Sequence, residues 1–369
     1  MLSPLPNVAP AIKARVVPNP SVTVSSSADA IAAHRVVMQK LSAELNRIGD
    51  FIPSGSAIAY LDFPVYFNVG DQLINLGTEV FFKRMAYDVR LRMSMFDLCD
   101  LDWQRPERTK LKELARQRLA GLDKNVILVF QGGGNFGDIY PEFQMMRKAV
   151  VAAFPDRRIV VLPQSLHFSS LEQEKSNIEQ LSKHPDLHVC VRDVESQNTL
   201  SKYSGISSAL LPDMAHALWD TAGWPAQNKG GKGTLVMERT DSESTGLAMA
   251  EGMSTRLDWP TIVTSVDKLV FRFVRKAMVA NVDRSYSVPL LVWYKLRDRL
   301  AKRAIGIFGS HDRVITDRLH GMILSTLLAR PVQFSDNSYG KLSRYVGVWL
   351  KDSPLVNPIV REETTKSSV

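Results

Sequence analysis

"NVILVFQGGGNFGDIYPEF" (residues 125–143) joins an apolar, β-branched run, a glycine-rich turn and a proline that opens a helical pattern. A run such as Val126 to Phe130 suits a strand covered on both faces. Pro141 suits the first turn of a helix, where its missing N–H costs nothing. The same grammar recurs on both sides of this stretch. "SAIAYLDF" (56–63) precedes the helical "DQLINLGTEVFFKRMA", "RIVVLPQ" (158–164) precedes "LEQEKSNIEQLSKH", and "LHVCVRD" (187–193) precedes "ESQNTLSKY", with "SALLPD" (208–213) following. Short β-branched runs alternating with amphipathic helices predict βαβ units and a parallel sheet.

Gly132, Gly134 and Gly137 also spell a literal G-x-G-x-x-G. A dinucleotide site needs the helix to continue directly from the glycines and an acid about 20 residues on for the ribose. Here Asp138 to Pro141 intervene, and the next strand ends in Pro163 and Gln164. NAD is therefore excluded. The glycines instead offer bare backbone: without Cβ atoms, Gly132, Gly133 and Gly134 let an anion or a sugar approach closely. A tight turn with no ligand accounts for them equally well. "YFNVGDQL" (66–73) repeats the pattern, so two N-x-G-D loops, Asn68 to Asp71 and Asn135 to Asp138, end neighbouring predicted strands. Asp71 also reads as a plain helix N-cap. As a pair, the loops put two carboxylates on one rim.

The alternation breaks at "PAQNKGGKG" (225–233), read as a linker, and then resumes. "TLVMERTD" (234–241), "RVITD" (313–317) and "PVQFSD" (331–336) read as strands, 265–304 as mostly helical and "GMILSTLLA" as a helix. The expected fold is α/β, with two Rossmann-like domains, 31–224 and 225–369, facing across a cleft. Ligands belong at the strands' carboxyl ends. Residues 1–30, beginning with a Pro/Ser/Val-rich leader, are expected to be disordered. The first helical pattern after them puts Val37, Leu41, Leu45 and Ile48 on one side.

"RVITDRLHGMILSTLLARP" (313–331) carries the sharper functional signal. Arg318 supplies a planar fork for a carboxylate or phosphate, and His320 is a donor near neutral pH. Both stand beside a helix N-terminus, whose free N–H groups favour an anion. The plainer reading has Asp317 capping the helix and Arg318 paired with a surface acid. Lys341 and Arg344 follow in "DNSYGKLSRY". His167, Arg192 with Asp193, His216 and the "ERTDSE" turn (238–243) also stand at strand ends, each open to an ordinary structural role. His34, His184, His188 and His311 have no evident company. No metal-ligand spacing is present, and Cys99 and Cys190 read as buried hydrophobes.

Taken in order, "NVGDQLI", "QGGGNFGDIYP", "LPQSLHF", "VRD", "LLPDMAH", "RTDSE", "TDRLHGMIL" and "DNSYGK" resemble the bacterial polysaccharide pyruvyltransferases of the exopolysaccharide type. The match runs from about Ala57 to Trp349. Members of that family are similar to GT-B glycosyltransferases, use phosphoenolpyruvate as donor substrate with no cofactor, and close a cyclic pyruvate ketal across two sugar hydroxyls. The resemblance implies that Arg318, His320 and Arg192 hold the donor, with Lys341 adding charge. It points to Asp71, Asp138 and His167 on the opposite wall as catalytic candidates, beside Asn68, Asn135 and the glycines. A nucleotide-sugar GT-B glycosyltransferase is the alternative, with Asp336 a loose candidate for the ribose carboxylate. A non-catalytic glycan- or anion-binding protein is another.

The net charge of +8 over 369 residues favours acidic partners, but charge alone gives no case for nucleic acid. With 45% apolar residues and no run of about 20, the chain reads as a soluble globular protein. A cytoplasmic enzyme is expected. Its acceptor, assembled on a polyprenyl diphosphate, would bring it to the inner face of the plasma membrane. "VDKLVFRFVRKAM" (266–278) and "VWYKLRDRLAKRAI" (292–305) are basic and amphipathic. They read either as membrane-surface helices or as ordinary helices with an apolar inner stripe.

Overall fold

A parallel sheet built from the first half of the chain runs in the order β2-β1-β3-β5-β6-β7. Its strands are β1 (Ala57–Leu61), β2 (Asp88–Met93), β3 (Ile127–Phe130), β5 (Ile159–His167), β6 (Leu187–Val191) and β7 (Ser207–Leu210). The glycine run is not a turn. Gly133–Gly137 forms a further strand, β4, which pairs in parallel with the second half of β5 through Gly133–Gln164 and Gly137–His167. Gly137 adopts φ 126°, and a Cβ there would fall 1.7 Å from the His167 carbonyl oxygen, so only glycine permits this pairing. Within this computed structural model, residues 27–219, 221, 224, 230–240, 253–280, 287–336 and 340–359 are described. The leader to residue 26, most of the 225–233 linker, residues 241–243 and residues 337–339 lie outside them.

The second sheet has the order β9-β8-β10-β11-β12, again all parallel. It comprises β8 (Thr234–Met237), β9 (Met253–Leu257), β10 (Arg313–Thr316), β11 (Val332–Phe334) and β12 (Val356–Pro358). Side-chain alternation explains why the first sheet is covered twice. Ile58, Tyr60, Val129 and Val160 point into one apolar cluster, and Ala59, Leu61, Leu128, Phe130 and Val161 into another.

The helices that matter for the site are α1 (Ala28–Glu44), α2 (Val69–Arg84), α3 (Pro141–Ala153), α4 (Leu171–Leu181), α5 (Val194–Ser201), α6 (Ser265–Ala280), α7 (Ser287–Gly309), α8 (Leu319–Leu327) and the short α9 (Lys341–Tyr345). Local chemistry sets their starts: Asn68 caps α2, Ser170 caps α4, Asp193 caps α5 and Pro141 opens α3. Helix α1 begins at Ala28, inside the span expected to be disordered; it buries Ala30, His34, Met38 and Leu41, and the expected side continues through buried Leu45 and Ile48, with Val37 partly buried against the same core. His34 is held by Ser353 Oγ and the Thr326 carbonyl, both at 2.8 Å, which ties α1 to the second half of the chain.

One apolar cluster spans both halves, taking in Leu73 of α2, Met237 of β8, Trp293 of α7 and Leu324 of α8. Helix α7 lies along this seam. Trp293 donates to the Pro64 carbonyl at 3.0 Å, Tyr294 to Glu79 at 2.6 Å and Arg297 to Asn75 at 2.6 Å. The 292–305 segment is thus an ordinary helix with an apolar inner stripe: Trp293, Leu296 and Leu300 are buried and not available to a membrane, while Lys295, Arg299 and Lys302 are exposed.

Candidate active site

Strand ends from both sheets converge on a cavity of about 570 Å³. Asn68 and Asp71 reach it from the start of α2, Gly132 to Asn135 from the end of β3 and from β4, and His167 from β5. Arg192 follows β6, Arg318 and His320 follow β10, and Lys341 opens α9. The N-termini of α2 and α8 meet here. The His320 ring packs so closely on Gly70 that a Cβ there would fall 2.6 Å from Nδ1.

One wall is cationic and rigidly built. Arg192 is fully buried; its Nη1 donates to Asp213 at 2.5 Å and its Nε to Ser165 at 2.9 Å. Asp213 also faces His320 Nε2 at 3.4 Å and accepts from the Ala215 N–H at 2.9 Å. Burial alone would raise its pKa; the His320 hydrogen bond and the charges of His320 and Arg192 reverse this and hold the carboxyl well below the usual range. Asp213 therefore stays ionised and orients both donors. Behind it, the Tyr345 hydroxyl accepts from the Asp213 N–H and meets His216 Nε2, each at 3.0 Å. Burial pushes the His216 pKa down to about 4, so it is a neutral support. Over Gly134, Arg192 Nη2 and Lys341 Nζ come within 3.0 and 3.3 Å of where a Cβ would stand. The missing side chain leaves a floor on which two cations converge, suited to a small anion.

The facing wall carries Asp71. Burial raises its pKa, opposed by the positive field of His320, a hydrogen bond from Tyr66 and the charges of Arg192 and Lys341. Beneath it lies a polar network centred on Asn135, whose Oδ1 accepts from Arg147 Nη2 and Gln164 Nε2, both at 3.0 Å. Asp62 joins through Asn135 Nδ2 at 3.5 Å. This residue sits in the left-handed region at φ 63°, and its burial pushes the carboxyl up to about 7. Tyr66, Phe143, Tyr140 and Trp103 extend the same side of the lining as an aromatic face, with Tyr140 45% and Trp103 54% exposed.

A sequence model for polysaccharide pyruvyl transferases matches residues 68–339, starting at the cap of α2. The chain belongs to the polysaccharide pyruvyl transferase family. Consistent with that, this transferase is 36% identical to the "Putative pyruvyl transferase EpsO" of Bacillus subtilis over 319 residues, 86% of this chain and 92% of the relative. It is 26% identical to "Pyruvyl transferase 1" of Schizosaccharomyces pombe, over 79% of this chain and 69% of that one. A functionally uncharacterised protein of Klebsiella pneumoniae shares the fold, with a TM-score of 0.51 at 18% identity over 87% of this chain and 98% of the other.

Eleven of the twelve residues singled out in the transferase's sequence line the cavity: Asn68, Asp71, Gly132, Gly133, Gly134, Asn135, His167, Arg192, Arg318, His320 and Lys341. Asp138 does not. Its carboxylate accepts from the Ser169 N–H at 2.7 Å and the Ser169 hydroxyl at 2.5 Å, which secures the turn into α4. Arg318 is in the lining but forked onto buried Asp258 through Nε at 2.5 Å and Nη2 at 2.7 Å, so much of its charge is already answered. The paired acid is interior rather than on the surface. Arg344 pairs with Glu195 at the rim. Asp336 caps α9 by accepting from the Leu342 N–H at 2.8 Å. His184 and His188 are hydrogen-bonded to Phe154 and Asp186, and His311 to Ile307 and Thr255. Sequence reasoning missed Asp213, Asp258, Asp62, Arg147 and Tyr66. Asp213 stood in a quoted motif, and its place at a strand end was the available signal; Asp258 had none, because its partner lies 60 residues away.

Proposed function

We propose that the chain transfers pyruvate from phosphoenolpyruvate to two hydroxyls of a sugar residue in an exopolysaccharide or its polyprenyl-diphosphate-linked precursor, closing a cyclic ketal. The observation that carries this reading is the convergence of Arg192 and Lys341 over side-chain-free Gly134, in a cavity that His320 and Asp71 also line. Phosphoenolpyruvate carries roughly three negative charges near neutral pH, from a phosphate ester and a carboxylate, and such a wall answers them. The meeting N-termini of α2 and α8 add to that field. Two parallel sheets whose strand ends feed one cavity also fit the two-domain, GT-B-like layout.

The step balances without a further cofactor. A proton adds to the donor's methylene carbon, leaving positive charge at C2. A sugar hydroxyl oxygen bonds to C2 and the C2–O bond to phosphate breaks. The second hydroxyl then closes the ring. One hydroxyl hydrogen is accounted for in the new methyl group and the other on released phosphate. His320, oriented by Asp213, faces the donor as its phosphate contact and acid. Asp71 is the base for the hydroxyls; its raised pKa makes it a stronger base than a surface carboxylate. His167 stands on the acceptor side with the aromatic face, whose Tyr140 and Trp103 rings suit the apolar faces of a sugar. Arg318 and Asp258 position the start of α8. Work on a lipid-linked acceptor corresponds to a cytoplasmic protein at the inner face of the plasma membrane.

The test is inorganic phosphate release from phosphoenolpyruvate against a panel of lipid-linked glycans, with a thermal-shift panel alongside. Phosphoenolpyruvate should raise the melting temperature while UDP-sugars and NAD leave it unchanged. Stabilisation by a UDP-sugar alone would transfer the reading to a nucleotide-sugar glycosyltransferase.

A further inference from the structure

Helix α6 has two apolar faces, and among the described residues only one of them is covered. Asp267, Phe271 and Val274 face inward. Asp267 accepts from Arg303 of α7 at 2.6 Å, and Phe271 packs on Phe67 and Trp293 with ring centroids 4.6 and 5.7 Å apart. On the outside, Val266, Leu269 and Phe273 are 60%, 60% and 75% exposed. Their spacing of three and four residues lines them up on one face. Beside them Lys268, Arg272, Arg275 and Lys276 are all exposed, and the helix's one acid, Asp267, is the buried anchor. The outward surface is therefore an apolar stripe bordered by an unrelieved basic one.

We propose that this face of α6 docks the protein on an anionic lipid surface, with Leu269 and Phe273 entering the acyl boundary and Lys268 and Arg272 meeting lipid phosphates. Charge decides the occupant. In a symmetric contact between two copies the basic stripes would oppose each other, whereas an anionic bilayer complements both stripes at once. The helix also sits at the cavity's edge. Phe67 and Phe96 line the cavity, and α6 packs Phe271 on the first and Arg275 over the second at 5.0 Å. Docking would thus hold the site beside the bilayer, where a lipid-anchored acceptor resides.

The experiment is co-flotation of the full chain with phosphatidylglycerol-containing vesicles and with neutral phosphatidylcholine vesicles. No donor or acceptor is present, so the result is separate from the assignment of the reaction. Binding should require the anionic lipid and fall steeply as salt approaches about 1 M, where screening acts over roughly 3 Å. Lys268→Glu with Arg272→Glu should weaken it at least about tenfold. Leu269→Ser with Phe273→Ser should abolish it, with the melting temperature unchanged. Failure to float on anionic vesicles, or flotation indifferent to both double variants, overturns the proposal. So does a dimer in solution that Phe273→Ser dissociates, which would assign the stripe to a second copy.

Discussion

Two stretches with the same spelling, Asn68-Val-Gly-Asp71 and Asn135-Phe-Gly-Asp138, meet opposite fates. In the first, Asn68 caps α2 by accepting from the Gly70 N–H at 3.0 Å, and Asp71 turns into the cavity from the helix's first turn. In the second the backbone is extended as β4, Asn135 turns inward to Arg147 and Gln164, and Asp138 turns away to Ser169. A helix start rotates successive side chains by about 100°, whereas a strand sends alternate ones to opposite faces. The same four-letter pattern therefore delivers a carboxylate to the site in one place and a half-buried amide support in the other.

The sharpest way to break this contrast is Asp71→Asn. Removing the proposed base should lower kcat by about 10² to 10⁴ while leaving the melting temperature and its rise with phosphoenolpyruvate intact. A loss below about tenfold would make the two carboxylates equivalent. Asn135→Leu should act on stability instead. It strands donors of Arg147 and Gln164 in the interior, and thermal or urea unfolding should report a loss of about 2–3 kcal/mol.

Tyr66→Phe refines the first stretch. Asp71 must be ionised to act as a base, so activity rises with pH through its raised pKa. The Tyr66 hydrogen bond opposes that rise in pKa. Its loss should move the acid limb of the kcat/KM–pH profile to higher pH; a limb that stays put or moves down would remove Asp71 from the role. The smallest effect belongs to Asp138→Asn: less than about tenfold on rate, and about 0.5–1 kcal/mol from the weakened turn.

The twin motifs also mark how far the sequence could be read. The alternation of apolar runs with helical ones located β1, β3, β5 to β8, β10 and β11; all but the half-exposed β7 are largely buried on both faces and announce themselves by composition. Of the four edge strands only β7 was located; β2, β9 and β12 were not. β2 alternates Val89, Leu91 and Met93 with Asp88, Arg90 and Arg92, a period-two signal that its charges obscure, and β12 is only three residues long. The glycines of β4 concealed a strand, since they lack the side chains that mark one. At the site, residues at strand ends were legible because topology sends strand ends to one place. The partner Asp258 was not, because an ion pair across 60 positions leaves no spacing to detect; Asp213 carried a strand-end signal, but its pairing with Arg192 across 21 positions did not show.

Gly77 sits where α2 crosses the segment joining the two sheets, and a Cβ there would stand 2.1 Å from the Met214 carbonyl oxygen. With Trp293 bonded to Pro64 and Arg297 to Asn75 of α2 as well, the two halves are welded rather than hinged. Heat has to separate them together, so calorimetry should record one transition. Access to the cavity is then governed at its rim, where Trp103 and the Arg344–Glu195 pair stand, and not by a swing of one half against the other.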